Sequence, residues 1–278
     1  MMFCIKLPVA KNPATMALFD IFNFLNSSGD TFDGFRKELR QNTTIYFIPM
    51  LNPDGAELYQ RRTIQEIDMN RDALRLVCPE SQLLKSLQQQ YCPDFAFNLH
   101  DQNPRIVVGN TDKQSTLSFL ASAYDHKKSI NEIRKRAMQV ISVMNKEMQK
   151  FIPGQVSKYD DEHEPRAFGD NIQKWGSSLI LIESGGYKND SDKMYIRKLN
   201  FVSMLTAFES IYKGSYKKVA LTEYHKIPEN SYKCYDFIIK NVNIIHQGKN
   251  YTIDIGANKT EVYNEDRSPQ IYIRCNVM

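Results

Sequence analysis

The chain has 278 residues, enough to bury one sizeable hydrophobic core and to form one large domain or a large and a small one. Hydrophobic residues make up 42% and charged residues 24%, which is ordinary for a folded domain and excludes a largely disordered chain. The 36 basic and 32 acidic residues are interspersed, so no basic block is available to neutralise a run of phosphates. We therefore expect no nucleic-acid partner.

The sequence predicts neither membrane insertion nor secretion. No segment approaches the roughly 18 consecutive apolar residues that a membrane span needs. The five cysteines are widely spread and form no Cys-x-x-Cys pair, a pattern typical of free thiols in a reducing compartment. The first residues carry one lysine and too short an apolar run for a signal peptide. A cytoplasmic protein without membrane association is the expectation.

Short β-branched or aromatic runs alternate with stretches of helical periodicity through the first two thirds of the chain. This alternation predicts an α/β fold in which helices cover a central sheet. In chain order, we predict a helix at residues 17–25, a strand at 43–49, a helix at 80–91, strands at 94–99 and 105–108, a helix at 129–152, a strand at 178–183 and a helix at 192–212.

The clearest of these helices is the one predicted at residues 129–152. It opens on Ser129-Ile-Asn-Glu132, a capping-box sequence, and Pro153-Gly154 follows its apolar stripe. We therefore expect Ser129 to cap it.

The character of the sequence changes after residue 217. Short strand-like runs at residues 232–240, 242–246, 250–255 and 270–274 are separated by turns that contain Asn or Gly. We predict two domains, an α/β domain at residues 1–216 and a small β-rich segment at residues 217–278.

Polar side chains gather where several of the predicted strands end, which is where open α/β sheets form their sites. The segments are Asn52-Pro-Asp-Gly55 with Arg61 after it, Asp68-Met-Asn-Arg-Asp72, Phe97-Asn-Leu-His100-Asp-Gln102 and Leu181-Ile-Glu183-Ser-Gly-Gly186. In this order they resemble the zinc metallocarboxypeptidases of the carboxypeptidase A type, over residues 17–212. The resemblance implies an α/β fold with a mixed central sheet flanked by helices, and zinc-assisted hydrolysis of a C-terminal peptide bond.

The resemblance implies roles for the arginines that follow the Asn-Pro-Asp-Gly loop. One arginine of the family polarises the scissile carbonyl and steadies the oxyanion; Arg61 matches it, and Arg62 is the adjacent alternative. Asn70-Arg71 matches the pair that clamps the free C-terminal carboxylate of a peptide, to which arginine can bind bidentately. The implied ligand is a peptide or acyl-amino acid with a free C-terminal carboxylate.

Two further residues match catalytic positions of the family. His100 ends a predicted buried strand and matches the third zinc ligand. Glu183 closes the strand predicted at residues 178–183 and matches the glutamate that moves a proton from zinc-bound water to the leaving amine. The tyrosine that many members place over the substrate is not located between Tyr159 and Trp175.

The resemblance breaks at the His-x-x-Glu motif that supplies two of the family's three zinc ligands. Its two positions fall on Pro8 and Lys11; proline offers no ligand atom, and a lysine ammonium repels a cation. His163 lies in an acidic run, residues 160–164, that could compensate, and the other interpretation of this run is a solvated loop. We expect zinc, the family's cofactor, to bind weakly or not at all.

The function expected from the sequence is zinc-dependent hydrolysis of C-terminal peptide bonds in an impaired form. One alternative is a pseudoenzyme that binds peptide carboxylates without a metal, and another is a different amidohydrolase on the same fold. The missing ligand pair reflects either a shifted or truncated gene start or a genuine loss, and the sequence leaves both explanations open.

Overall fold

The chain divides into two compact units, Met1–Ser231 and Tyr232–Met278. The sequence places the boundary after residue 216, whereas the first unit continues to Ser231. Residues beyond 216 stay with this unit because Tyr224 and Ile227 are buried in its core. The computed structural model describes residues 2–6, 13–58, 60–232, 234–263 and 269–277.

Strands and helices alternate along the first unit, and strands follow in the second. The strands are β1 (Met2–Lys6), β2 (Ile45–Ile48), β3 (Phe95–Asp101), β4 (Ile106–Val108), β5 (Leu117–Leu120), β6 (Val156–Lys158), β7 (Ser178–Ser184), β8 (Asn230–Tyr232), β9 (Phe237–His246), β10 (Lys249–Tyr263) and β11 (Pro269–Val277). The α-helices are α1 (Pro13–Asn26), α2 (Asp33–Asn42), α3 (Pro53–Glu57), α4 (Pro79–Tyr91), α5 (Glu132–Met148), α6 (Phe168–Lys174), α7 (Met194–Tyr212) and α8 (Leu221–His225).

Six strands form the central sheet in the order β2-β1-β3-β7-β5-β6. The first four strands in this order are parallel, β5 runs antiparallel to β7, and β6 is parallel to β5. Parallel strands are covered on both faces, so their sequences are apolar with few interruptions. The prediction of an α/β fold with a mixed central sheet flanked by helices is confirmed.

The two faces of β3 and β7 differ in character because side chains alternate along a strand. Phe97, Leu99 and Ile182 lie in the large core that also contains residues of α1, α5 and α7. Ala96 and Leu179 lie on the opposite face, in a smaller core with residues of α4 and α6. The carboxyl ends of β3 and β7 carry polar residues in positions of this second face, and these residues form the candidate site.

The helix predicted at residues 129–152 begins at a different residue from the one expected. α5 starts at Glu132, and the Asn131 side chain caps it by accepting a hydrogen bond from the Arg134 backbone N–H at 2.9 Å. The expected cap at Ser129 is wrong. Asparagine competes equally well for this position, and Lys128 in the left-handed region turns the chain just before Ser129.

The second unit is a three-stranded antiparallel sheet in the order β11-β10-β9. The runs predicted at residues 232–240 and 242–246 join into one strand, β9, which passes through Asn241 at a positive φ of 56°. The adjoining register shift between Ile253 and Ile255 explains why the pattern is interrupted there. No helix within the described ranges is long and apolar enough to cross a membrane.

Candidate functional site

A cleft of about 230 Å³ opens at the carboxyl ends of β3 and β7. Its walls come from the loop after α3, the loop between β6 and α6, and the sheet itself. All five residues that the sequence singles out line this cleft: Arg61, Asn70, Arg71, His100 and Glu183. Five side chains that are widely separated along the chain therefore meet at one edge of the sheet.

His100 and Glu183 are neighbours across the sheet. They are directly paired in the parallel register of β3 and β7, so their side chains project from adjacent strands on the same face. Glu183 is buried, and it follows the apolar run of β7 near the carboxyl end of that strand. The pair forms the inner end of the cleft.

Arg61 lines the cleft, whereas the Arg62 guanidinium donates a hydrogen bond to the Glu66 carbonyl. The Asn52 side chain caps α3 by accepting from the Gly55 backbone N–H at 2.9 Å, and its amide donates to the Arg62 carbonyl at 3.2 Å. A Cβ at Gly55 would stand 2.7 Å from that carbonyl, so the turn requires glycine. Arg61 pairs with Asp68, with 3.0 Å between Nε and Oδ2. Of the two arginines that the sequence left as alternatives, Arg61 is the one among the cleft residues.

Asn70 and Arg71 lie on a single 3-10 turn, Met69–Arg71. The Asp68 carboxylate caps this turn by accepting from the Asn70 backbone N–H at 3.0 Å. The Asn70 side-chain oxygen accepts from the Phe168 backbone N–H at 3.0 Å, across 98 sequence positions. This bond joins the turn to the start of α6, so the proposed clamp is held by the opposite wall of the cleft.

Glu164 sits against the proposed clamp and was not singled out from the sequence. Its Oε2 lies 3.1 Å from Arg71 Nε, and Arg166 binds both of its oxygens, at 2.9 and 2.8 Å. Hydrogen bonds from Arg166, with the nearby charge of Arg71, lower the pKa of Glu164 to about 2. Glu164 is therefore an anion at physiological pH and already contacts the guanidinium expected to bind a ligand carboxylate.

Asp170 is a buried acid beside the cleft, packed against His163. Its Oδ2 accepts from the Glu164 backbone N–H at 2.6 Å and lies 3.2 Å from His163 Nδ1. Burial raises the pKa of Asp170 to about 6, against the opposing effect of these bonds. The interpretation of the His163 run as a solvated loop is wrong at this residue, because the ring is about nine-tenths buried and packs edge-on against His126.

Tyr159 and Asn98 also line the cleft and carried no signal specific enough to be found in the sequence. Tyr159 follows β6, a three-residue strand too short for its periodicity to be recognised. In the sequence, Asn98 is a single polar residue inside an apolar strand. Its spacing of two residues from His100 is the signal that could have placed both side chains on the same face of the sheet.

The donor set of the cleft does not fit a catalytic zinc ion. Such a site uses three protein ligands, and the cleft offers His100 as its histidine. Among the described residues, no group of three or more His, Cys, Asp or Glu side chains is arranged to hold a metal. The two family ligand positions, Pro8 and Lys11, lie outside the described residues.

Comparison with known proteins gives one family match and several structures of the same fold. The zinc carboxypeptidase family model matches residues 33–81, a stretch that includes the Asn-Pro-Asp-Gly loop, Arg61 and the Asn70-Arg71 pair. No curated protein sequence matches the chain.

Three solved structures have the same fold at low sequence identity. A metallo-carboxypeptidase from Burkholderia cenocepacia is 15% identical with a TM-score of 0.57 and covers 77% of the chain. A candidate carboxypeptidase from Burkholderia mallei ATCC 23344 is 15% identical with a TM-score of 0.54 and covers 77%. A candidate carboxypeptidase A from Shewanella denitrificans OS-217 is 13% identical with a TM-score of 0.52 and covers 75%. The chain spans 57% of the length of each of these structures. The family match thus covers residues 33–81, and the solved structures show that the chain has the fold of these carboxypeptidases.

Proposed function

We propose that the cleft binds the free C-terminal carboxylate of a peptide or acyl-amino acid, with hydrolysis weak or absent. The observation that carries this proposal is the meeting of Asn70 and Arg71 with Arg61, His100 and Glu183 in one cleft. A ligand bound there would present its carboxylate to the clamp and its last amide bond to the inner end of the cleft.

The contacts of Arg71 support a carboxylate as the ligand group. Its guanidinium already pairs with the Glu164 carboxylate through Nε, which leaves it oriented for a planar anion. Asn70 has its side-chain oxygen fixed by Phe168, so the amide nitrogen is the end that can donate to a ligand. A charged donor beside a neutral donor is a suitable pair for one carboxylate.

The second candidate function is hydrolysis of the same terminal bond. Arg61 and Glu183 favour it, because simple carboxylate binding requires neither an oxyanion-stabilising arginine nor a buried glutamate. The donor set around His100 opposes it, because one histidine is a poor site for zinc. Binding is therefore the better supported function for this chain.

Calorimetry with a peptide and its C-terminally amidated twin tests the binding proposal. We expect the amide to bind more weakly by about 2 kcal/mol, roughly thirtyfold, because it loses the charge and one bidentate contact. Arg71→Ala should abolish the difference between the two peptides.

Arg62→Ala is the matched control for Arg71→Ala, since it removes the same charge from a nearby residue whose guanidinium donates to the Glu66 carbonyl. The affinity of the Arg62→Ala variant for each peptide should stay within twofold of the affinity of the unchanged chain. Equal affinity of the unchanged chain for acid and amide would remove the clamp from the proposal.

A further inference from the structure

Asn98 is a buried amide at the floor of the cleft. It lies on β3, two residues before His100 and paired with Leu181 of β7, and its residue is only 1% exposed. Both side-chain atoms, Oδ1 and Nδ2, are without a hydrogen-bond partner among the residues that the structure describes. Buried amides are almost always paired in folded proteins, because an unpaired one has lost its water without replacement.

Asn98 lines the cleft together with Gly169. A Cβ at Gly169 would lie 3.0 Å from Ser122 Oγ, 3.2 Å from Leu179 Cδ2 and 3.8 Å from Asn98 Nδ2. Glycine at position 169 therefore lets the start of α6 pack closely beside Asn98. Leu181 supplies an apolar side wall.

The nearby carboxylate of Asp170 already has partners within the protein. Asp170 is bound by the Glu164 backbone N–H and approached by His163. Hydrogen bonding to Ser122 also acts on it and, like those contacts, lowers its pKa against the larger effect of burial. The unpaired polar groups at the floor are thus those of Asn98, not those of its charged neighbour.

We infer that Asn98 determines specificity by pairing with a carboxamide side chain, that of a C-terminal glutamine or asparagine, in the ligand. This inference rests on the proposed function, since the clamp would hold the carboxylate of the same terminal residue. A carboxamide presents one acceptor and one donor in the same plane, so it can pair with both Oδ1 and Nδ2 of Asn98 at once.

Other side chains match the floor less well. An ammonium or guanidinium group only donates and would leave Nδ2 unpaired, while a carboxylate only accepts and would leave Oδ1 unpaired. A carboxylate would also meet a cleft whose described lining carries five carboxyl groups and two arginines. A hydrocarbon side chain would leave both amide atoms of Asn98 buried and unpaired. A site that loses its hydrogen-bond partners in this way rejects the apolar ligand strongly.

Nuclear magnetic resonance of the Asn98 side-chain amide tests this directly on the full chain. The signal is identified by its loss in Asn98→Leu and followed during titration with N-acetyl-glutamine, N-acetyl-glutamine amide, N-acetyl-glutamate and N-acetyl-norleucine. We expect both glutamine ligands to shift the signal, and glutamate and norleucine to shift it much less. Calorimetry should give N-acetyl-glutamine at least tenfold tighter binding than N-acetyl-norleucine.

Variants separate this inference from the clamp. Asn98→Leu should make the glutamine and norleucine ligands bind equally, whereas Arg71→Ala should weaken both by the same factor. If both glutamine ligands shift the Asn98 signal with equal affinity, the clamp fails and the inference stands. If carboxylate ligands bind while the Asn98 signal does not move, the clamp stands and the inference is overturned. A signal unmoved by every ligand also overturns it. So does equal affinity of the unchanged chain for N-acetyl-glutamine and N-acetyl-norleucine, a result that does not depend on whether Asn98→Leu folds.

Discussion

Arg71 is shared between an internal anion and the proposed ligand. Glu164 contacts it at 3.1 Å and is fixed from the other side by Arg166, so the internal carboxylate is both charged and well ordered. A ligand carboxylate must bind next to Glu164 or displace it from Arg71, and either event is opposed by the repulsion between two anions. We therefore expect Glu164 to lower the affinity of the cleft for a ligand carboxylate.

Replacing Glu164 by Gln should strengthen peptide binding. The change keeps the shape of the side chain and removes the charge that competes for Arg71, so we expect affinity for a free-carboxylate peptide to rise by about 1 kcal/mol, roughly fivefold. Calorimetry measures this change in affinity. Glu162→Gln is the control, because it removes the same charge from the same loop in a residue that also lines the cleft. Weaker binding by Glu164→Gln would mean that Glu164 orients Arg71 instead of competing with the ligand.

Asp170 should make stability depend on pH between about 4 and 6. Burial raises its pKa from 3.8 to about 6, so the folded chain holds this proton more tightly than the unfolded chain does. The resulting contribution to stability is fully present below pH 4 and is lost as the pH rises through 6. Relative to Asp170→Asn, the free energy of unfolding of the unchanged chain should fall over this interval, as measured by urea unfolding at several pH values. Parallel pH profiles for the two chains would contradict the assignment.

At the scale of secondary structure, the start of α5 shows how a cap is chosen. Ser129 and Asn131 are both suitable cap residues, and the sequence favours Ser129 because Glu132 follows three positions later. In the structure, Ser129 is instead held by the Asp125 carboxylate, which accepts from its backbone N–H at 2.9 Å. The hydrogen bond between Ser129 and Asp125 forms in place of the capping box. The helix therefore begins at Glu132, three residues after the predicted start at residue 129.

Asn131→Ala should therefore destabilise the chain more than Ser129→Ala. Losing an N-cap side chain typically costs about 1 kcal/mol of unfolding free energy, because a backbone N–H at the helix start is left without its acceptor. Ser129→Ala removes a hydroxyl outside the helix and should cost less than half of that. Urea unfolding of the two variants gives the comparison, and a larger loss for Ser129→Ala would restore the capping box predicted from the sequence.

At the scale of the whole molecule, the cleft combines residues from distant parts of the chain. A zinc site would likewise need ligands from separate segments. His100, the proposed zinc-ligand position, comes from β3, whereas the other two ligand positions implied by the resemblance fall on Pro8 and Lys11. With the roles proposed for Arg61 and Glu183, this set predicts a defect in metal binding and not in substrate recognition.

We expect the purified chain to hold far less than one zinc ion per molecule at neutral pH, and hydrolysis of C-terminal peptide bonds to be near background. The double change Pro8→His and Lys11→Glu should raise the zinc content, measured by elemental analysis, and produce exopeptidase activity. The single change Pro8→His is the control, since two ligands should hold the metal less well than three. Stoichiometric zinc in the unchanged chain would mean that other residues complete the site.

The sequence by itself determined the chemistry available at each position of the site. The Asn-Pro-Asp-Gly loop, the Asn70-Arg71 pair and the two strand ends are short segments whose conformation depends on neighbours a few residues away. The apolar runs of β3 and β7 likewise predict buried strands, and His100 and Glu183 follow these runs near the strand ends. Helices α2 and α6 were missed, because the first is strongly polar and the second spans only two turns.

Only the tertiary structure decided which of these groups meet. Arg61 and Arg62 are adjacent in sequence, yet Arg61 lines the cleft and Arg62 bonds to the Glu66 carbonyl. Glu164 reaches Arg71 because loops far apart in the chain pack against the sheet, and among the described residues the Asn98 side chain has no hydrogen-bond partner. Charge pairing and burial depend on distances in space, and a sequence pattern with a period of two or 3.6 residues carries no information about them.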